Sequence, residues 1–110
     1  MKFSQMVNRI WESRKKYEKL EMKTCGRLWT KQEVFQGLVG DIGDLAKLVS
    51  VEAGTRGETG GDIKEKLTHE LMDCFWSVIV LSKMYDIDIE KNFNVEIQKI
   101  DEQVEAKLGS

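Results

Sequence analysis

Apolar residues recur along this chain at three- and four-residue steps, and nowhere with the period-two alternation of a half-buried strand. Phe3, Met6, Ile10, Tyr17 and Leu20 trace one stripe, with a seven-residue gap after Ile10, and predict an amphipathic helix over about 3–22. "TCGRLW" interrupts it. "TKQE", Thr30 to Glu33, then has the spacing of a capping box, in which the hydroxyl accepts from a free backbone N–H and the glutamate reaches back. A second helix is predicted from there to about Ala53, with Val34, Leu38, Ile42, Leu45 and Val49 on one stripe. The four glycines of "GTRGETGG", 54–61, predict a flexible loop. Asp62 is placed to cap a third helix to about Tyr85, with Glu65 at the capping-box position. "DID", 86–88, makes a tight break, and Asp88 can cap a fourth helix carrying Ile89, Phe93, Ile97, Ile100 and Val104.

Four helices with short connections bury their stripes against each other, so the expected fold is all-α, a four-helix bundle forming a single domain over 1–110. The third helix is apolar around most of its circumference after Leu71. A helix of that kind in so small a bundle is expected to meet a second subunit, in a homodimer or a dimer of dimers (a homotetramer).

Composition changes this picture little. Hydrophobic residues at 41% and charged residues at 33% are an ordinary globular balance, and a net charge of −2 offers no basic field to attract nucleic acid. The N-terminus lacks the uninterrupted apolar core of a signal peptide, and the longest apolar run is too short to span a bilayer. Cys25 and Cys74 show no C-x-x-C spacing, and Cys74 sits in the apolar run as core filler. Reduced thiols and a cytoplasmic location, away from membranes, are the expectation.

Candidate chemistry comes from acids standing where core is expected. In "HELMDCFWSVIVL", 69–81, the eleven residues from Leu71 to Leu81 include only two polar side chains, Asp73 and Ser77. An unpaired buried carboxylate costs several kcal/mol, a large share of a small domain's stability. Glu70 and Asp73 lie one helical turn apart, and Asp41 and Asp44 in "GLVGDIGDLAKLV" repeat the spacing on the second helix. Lys47 and Lys66 lie within helical reach of Asp44 and Glu70, but Asp41 and Asp73 have no such partner. If the two helices are antiparallel neighbours, all four carboxylates face one another and a divalent cation can neutralise them. Oxygen-only ligation suits Mg²⁺ or Mn²⁺, whereas zinc is disfavoured because no Cys or His joins at ligand spacing. Gly37, Gly40 and Gly43 flank the first pair at a helix-propensity cost of about 1 kcal/mol each, which points to close helix contact or to room for a bulky ligand.

Together, D-x-x-D (Asp41, Asp44), a gap of 25 residues and E-x-x-D (Glu70, Asp73) resemble the E-x-x-E…E-x-x-D signature of MazG-like nucleoside triphosphate pyrophosphohydrolases. "GDIGDLAKLV" and "HELMDCFWSVIVLSKMYDIDIE" resemble the family's second helix and its third helix with the following turn, and the likeness covers roughly 28–100. It implies a Mg²⁺-dependent enzyme splitting a nucleoside triphosphate into monophosphate and pyrophosphate, with Asp41, Asp44, Glu70 and Asp73 as metal-binding and catalytic residues. The family usually carries glutamate at both positions of the first pair, where this chain has the shorter Asp41 and Asp44. Lys99 on the fourth helix falls at the position of a lysine in the family's last helix, which implies a phosphate contact.

Other substrate-binding candidates are read from position alone. Lys31 and Arg27 lie near the start of the second helix, Arg56 in the glycine-rich loop, and Trp29 could stack a base or simply staple onto Val34. His69 reads as a surface or hydrogen-bonded residue. The rival to an enzyme is a non-catalytic helical oligomerisation module whose acids pair with basic groups across an interface. A di-iron bundle needs Glu-x-x-His on two helices, and the one histidine follows no Glu at that spacing.

Overall fold

Local capping chemistry sets the helix boundaries. The computed structural model describes residues 1–54 and 61–109. It contains α1 (Phe3–Cys25), α2 (Lys31–Glu52), α3 (Ile63–Met84) and α4 (Ile89–Leu108), with no strand among the described residues. At the start of α2 the Thr30 hydroxyl accepts from the Glu33 N–H at 3.2 Å while the Glu33 carboxylate accepts from the Thr30 N–H at 3.0 Å. The reciprocal box is therefore formed. Asp62 accepts from the N–H groups of Lys64 and Glu65 at 2.9 and 3.4 Å, and Asp88 from that of Lys91 at 3.0 Å. α1 runs to Cys25, three residues beyond the sequence expectation, because Gly26 at φ 73° is the first residue suited to the left-handed turn that ends it. Asp86, at φ 57°, makes the equivalent break between α3 and α4. Of the glycine-rich loop, residues 55–60, Arg56 among them, lie outside the described residues.

α2 and α3 form the central pair. Lys31 lies over the ring of Tyr85 at 4.7 Å, Asp41 senses Asp73, and Asp44 lies beside Glu70. This descending register makes the two helices antiparallel, as the site requires. The buried apolar core is Val34, Leu38, Leu48, Ile79 and Val80, all on these two helices. α1 packs across α3, where the Trp76 indole N–H donates to the Ser13 hydroxyl at 3.3 Å and meets Tyr17 edge-to-face at 5.4 Å between centroids.

Three expectations change. The stripe of α2 divides, since Val34, Leu38 and Leu48 are buried but Ile42 and Val49 are about half exposed. Arg14 fills the gap in the stripe of α1 and meets Glu21, just past the end of the stripe: the two, 2% and 4% exposed, form a buried two-pronged ion pair. α1, α2 and α3 form the expected all-α bundle, but α4 stands away from it. Every residue of α4 except Ile89 is exposed, and it makes no extensive contact with the other helices. The radius of gyration, 17.5 Å, accordingly exceeds the roughly 13 Å of a compact chain this long.

Candidate functional site

The antiparallel register of α2 and α3 brings the two acid pairs together. Ligand oxygens of Asp41, Asp44 and Glu70 all lie within 4.8 Å of one another, and a second such group joins His69, Glu70 and Asp73. Glu70 belongs to both and is the centre of the cluster. Its Oε2 is shielded from solvent and has no hydrogen-bond partner among the described residues. Burial pushes the Glu70 carboxyl above its ordinary range, and the charges of Asp44 and Asp73 push it further. Asp41 is raised for the same reasons, by burial first and then by Asp73 and Asp44. The cluster is an arrangement of like charges held together by the fold.

Two sequence expectations need correction here. Asp73 is not the deeply buried carboxylate its apolar neighbours suggest, for its side chain is 43% exposed and it lies 3.3 Å from His69 Nε2. Glu70 is the acid with the shielded, unpartnered oxygen. The residue pointing outward on an apolar helix is decided by the neighbours the helix finds, not by its sequence flanks. The premise used against zinc also fails, because His69, one turn before Asp73, does join the cluster. Burial, and then the charges of Asp41, Glu70 and Asp73, raise the Cys74 thiol above its ordinary value, and its sulfur joins neither group of converging ligand atoms.

The acids divide between two hollows. Asp41 and Asp73 line one of about 510 Å³, whose walls include Tyr17, Trp29, Gly37 and Trp76. Asp44 and Glu70 line the other, of about 430 Å³, beside Lys47 and Lys66. The ridge between them is the acid cluster itself. The first hollow is held open by the buried pair on α1. Glu21 accepts from Arg14 and, through the same Oε1, from the Trp29 backbone N–H at 2.7 Å, which ties the α1–α2 connection to α1. The long gap in the α1 stripe was the only sequence signal for this pair. A Cβ added at Gly37, Gly40 or Gly43 would meet nothing within 4 Å. Of the two readings of these glycines, close helix contact within the chain is ruled out, and Gly37 leaves open space beside Asp41.

The cationic candidates fare differently. Lys31 is engaged with Tyr85, near the end of α3 remote from the cluster. Arg27 forms a two-pronged pair with Glu33 at 2.7 and 3.1 Å, which holds the Glu33 carboxyl down at about 2. Lys99, on α4, pairs with Glu96 at 3.1 Å and lines neither hollow that contains the acids. Among the described substrate candidates, Trp29 alone shares a hollow with the acids, and Val34 lines the same hollow. No helix among the described residues is long and apolar enough to cross a membrane. Comparison with protein-family models, with curated proteins and with solved structures finds nothing that matches this chain.

Proposed function

We propose that the chain is a Mg²⁺-dependent nucleoside triphosphate pyrophosphohydrolase of the MazG-like kind, releasing pyrophosphate and a nucleoside monophosphate. The observation that carries this reading is the convergence of Asp41, Asp44 and Glu70 from two helices, with an orphaned Glu70 oxygen at their centre. The donor set fits a hard dication: three carboxylates within 4.8 Å of one another, with no thiolate among them. Mn²⁺ would suit the same oxygens, and His69 widens the choice toward softer ions. When bound, the cation supplies charge neutralisation for the phosphate oxygens. Asp41, Asp44 and Glu70 would hold it. Asp73, outside that tightest group and beside His69, is left to orient the attacking water and take its proton. Trp29, Tyr17 and Trp76 offer aromatic faces to the base, and their hollow excludes part of the water from one side of the cluster. Little covalent work is asked of the protein, since positioning and neutralisation carry phosphoryl chemistry. Assembly as a homodimer or homotetramer belongs to this reading.

The test is pyrophosphate release over canonical and modified nucleoside triphosphates, with Mg²⁺ and Mn²⁺, for the wild type and Glu70→Gln. Metal-dependent release that falls at least a hundredfold in the variant supports the enzyme. The competing reading, a non-catalytic oligomerisation module, is favoured by the exposed apolar stripe of α4. Silence on every substrate together with no metal-dependent rise in melting temperature would establish the module instead.

A further inference from the structure

The hollow beside Asp41 has a second set of polar groups, away from the acid cluster. Ser13 and Arg14 of α1 and Ser77 of α3 line it together with Trp76. Ser77 is 6% exposed, and its hydroxyl makes no hydrogen bond among the described residues. A helical hydroxyl commonly bonds back to the carbonyl one turn before it, as Thr24 does to Leu20 and Thr68 to Lys64, each at 2.8 Å. Ser77 does not, and its hydroxyl is left to the hollow. Arg14, 2% exposed, has five N–H donors and gives two of them to Glu21. The other three meet no acceptor among the described residues. Glu21 is itself well occupied, accepting from Arg14 through both oxygens and from the Trp29 N–H. The Ser13 oxygen accepts from the Trp76 indole, which leaves its O–H to donate.

This end of the hollow is unsuited to a phosphate group. The Arg14 charge is already matched by Glu21, and Asp41 and Asp73 stand on the same walls. Ser77 lies one turn beyond Asp73, about 6 Å further along α3, so the polar end is set back from the acids by roughly the length of a sugar. Tyr17, Trp29 and Trp76 supply flat apolar faces beside it. We propose that this end reads the base of a nucleotide whose phosphates lie at the acids, and that it selects bases presenting a carbonyl oxygen (O4 of uracil and thymine, O6 of guanine) over cytosine and adenine, which present an amino group there. The serine hydroxyls turn to suit either partner, but a guanidinium can only donate, so Arg14 sets the polarity. A carbonyl oxygen gives its spare N–H groups a charge-assisted bond, whereas an amino group would set donor against donor and leave the buried cation unsatisfied. The inference rests on the hydrolase reading only in taking a nucleotide as the occupant.

Calorimetric titration of the full chain, in Mg²⁺, with the 5′-monophosphates of thymidine, deoxyguanosine, deoxycytidine and deoxyadenosine measures the preference without turnover. The first two should bind at least about tenfold more tightly than the last two, the worth of one charge-assisted hydrogen bond. Ser77→Ala should lose about fivefold on the carbonyl bases and leave the amino bases within about twofold. Equal affinities, a preference for the amino bases, or no binding of any of the four overturns the inference. So does a Ser77→Ala protein that weakens all four alike, the mark of a merely structural serine. If that variant fails to fold, the wild-type ranking still decides. Metal-dependent pyrophosphate release at equal rates from all four triphosphates sinks the base selection and keeps the hydrolase; base-selective binding with no release does the reverse.

Discussion

Replacing Glu70 by glutamine should strengthen the metal-free fold and abolish its response to metal, two effects of opposite sign from one atom. The Glu70, Asp41 and Asp44 oxygens lie within 4.8 Å. At that distance one like-charge pair repels by roughly 1 kcal/mol at the dielectric of water and about 3 kcal/mol at an effective value of 20. The cluster is partly solvated, so screening favours the lower figure, about 1 kcal/mol gained on neutralising Glu70. Nothing is lost in exchange, because Oε2 has no hydrogen-bond partner among the described residues, and the new amide can donate to a neighbouring carboxylate. For a domain of about this size the gain raises the melting temperature by roughly 4–8 °C. Wild type should instead gain from Mg²⁺ or Mn²⁺. At a hundred times the dissociation constant the linkage is worth about 2.7 kcal/mol, a rise on the order of 10 °C. Scanning calorimetry of both proteins in chelator and in a metal series checks this. A variant less stable than wild type in chelator, beside a wild type indifferent to metal, would refute the cluster as a strained cation site.

The pH dependence of stability without metal should have two limbs. Asp41 and Glu70 titrate above their ordinary values of 3.8 and 4.5, so the native state binds protons more tightly there. The stability this contributes is complete below those values and is lost as pH rises through the raised ones. Melting temperature should thus climb on acidification from pH 7 toward 4.5, and saturating Mg²⁺ should flatten the climb. Glu33 works in reverse: its contribution is present above 4.5 and disappears as pH falls through about 2, and Glu33→Gln should remove this lower limb in acid melts. Arg14→Leu leaves Glu21 buried and unpaired and should cost about 3–5 kcal/mol in urea unfolding, with much of it recovered by adding Glu21→Leu; a cost under about 1 kcal/mol would mean the pair does not hold the connection. Gly37→Ala, which meets no atom, should stabilise the metal-free fold by about 1 kcal/mol while raising KM, and an unchanged KM would separate the hollow from substrate binding. Thr30→Ala should cost about 1 kcal/mol by chemical denaturation through loss of the formed cap.

By itself the sequence determined the helices, their caps and their breaks. Thr30, Asp62 and Asp88 bond N–H groups two or three residues away, and Gly26 ends α1 by its own backbone freedom, so these features need no distant partner. It also determined that Asp41 pairs with Asp44 and Glu70 with Asp73, because a three-residue step puts side chains on one helical face. The tertiary structure decided what those faces meet. An apolar stripe fixes a direction only to within a broad arc, and α2 and α3 each have neighbours on some sides and none on others. That is why Ile42 and Val49 point outward beside a buried Leu48, and why Glu70 rather than Asp73 has the shielded oxygen. Arg14 and Glu21 lie only two turns apart on one helix, but their burial and the hollow joining Trp29 to Asp41 depend on how the helices pack, which no local pattern encodes. For α4 the two levels disagree most. Its pattern demands burial, the chain's own packing withholds it, and an amphipathic helix in water lowers its free energy only by covering that stripe.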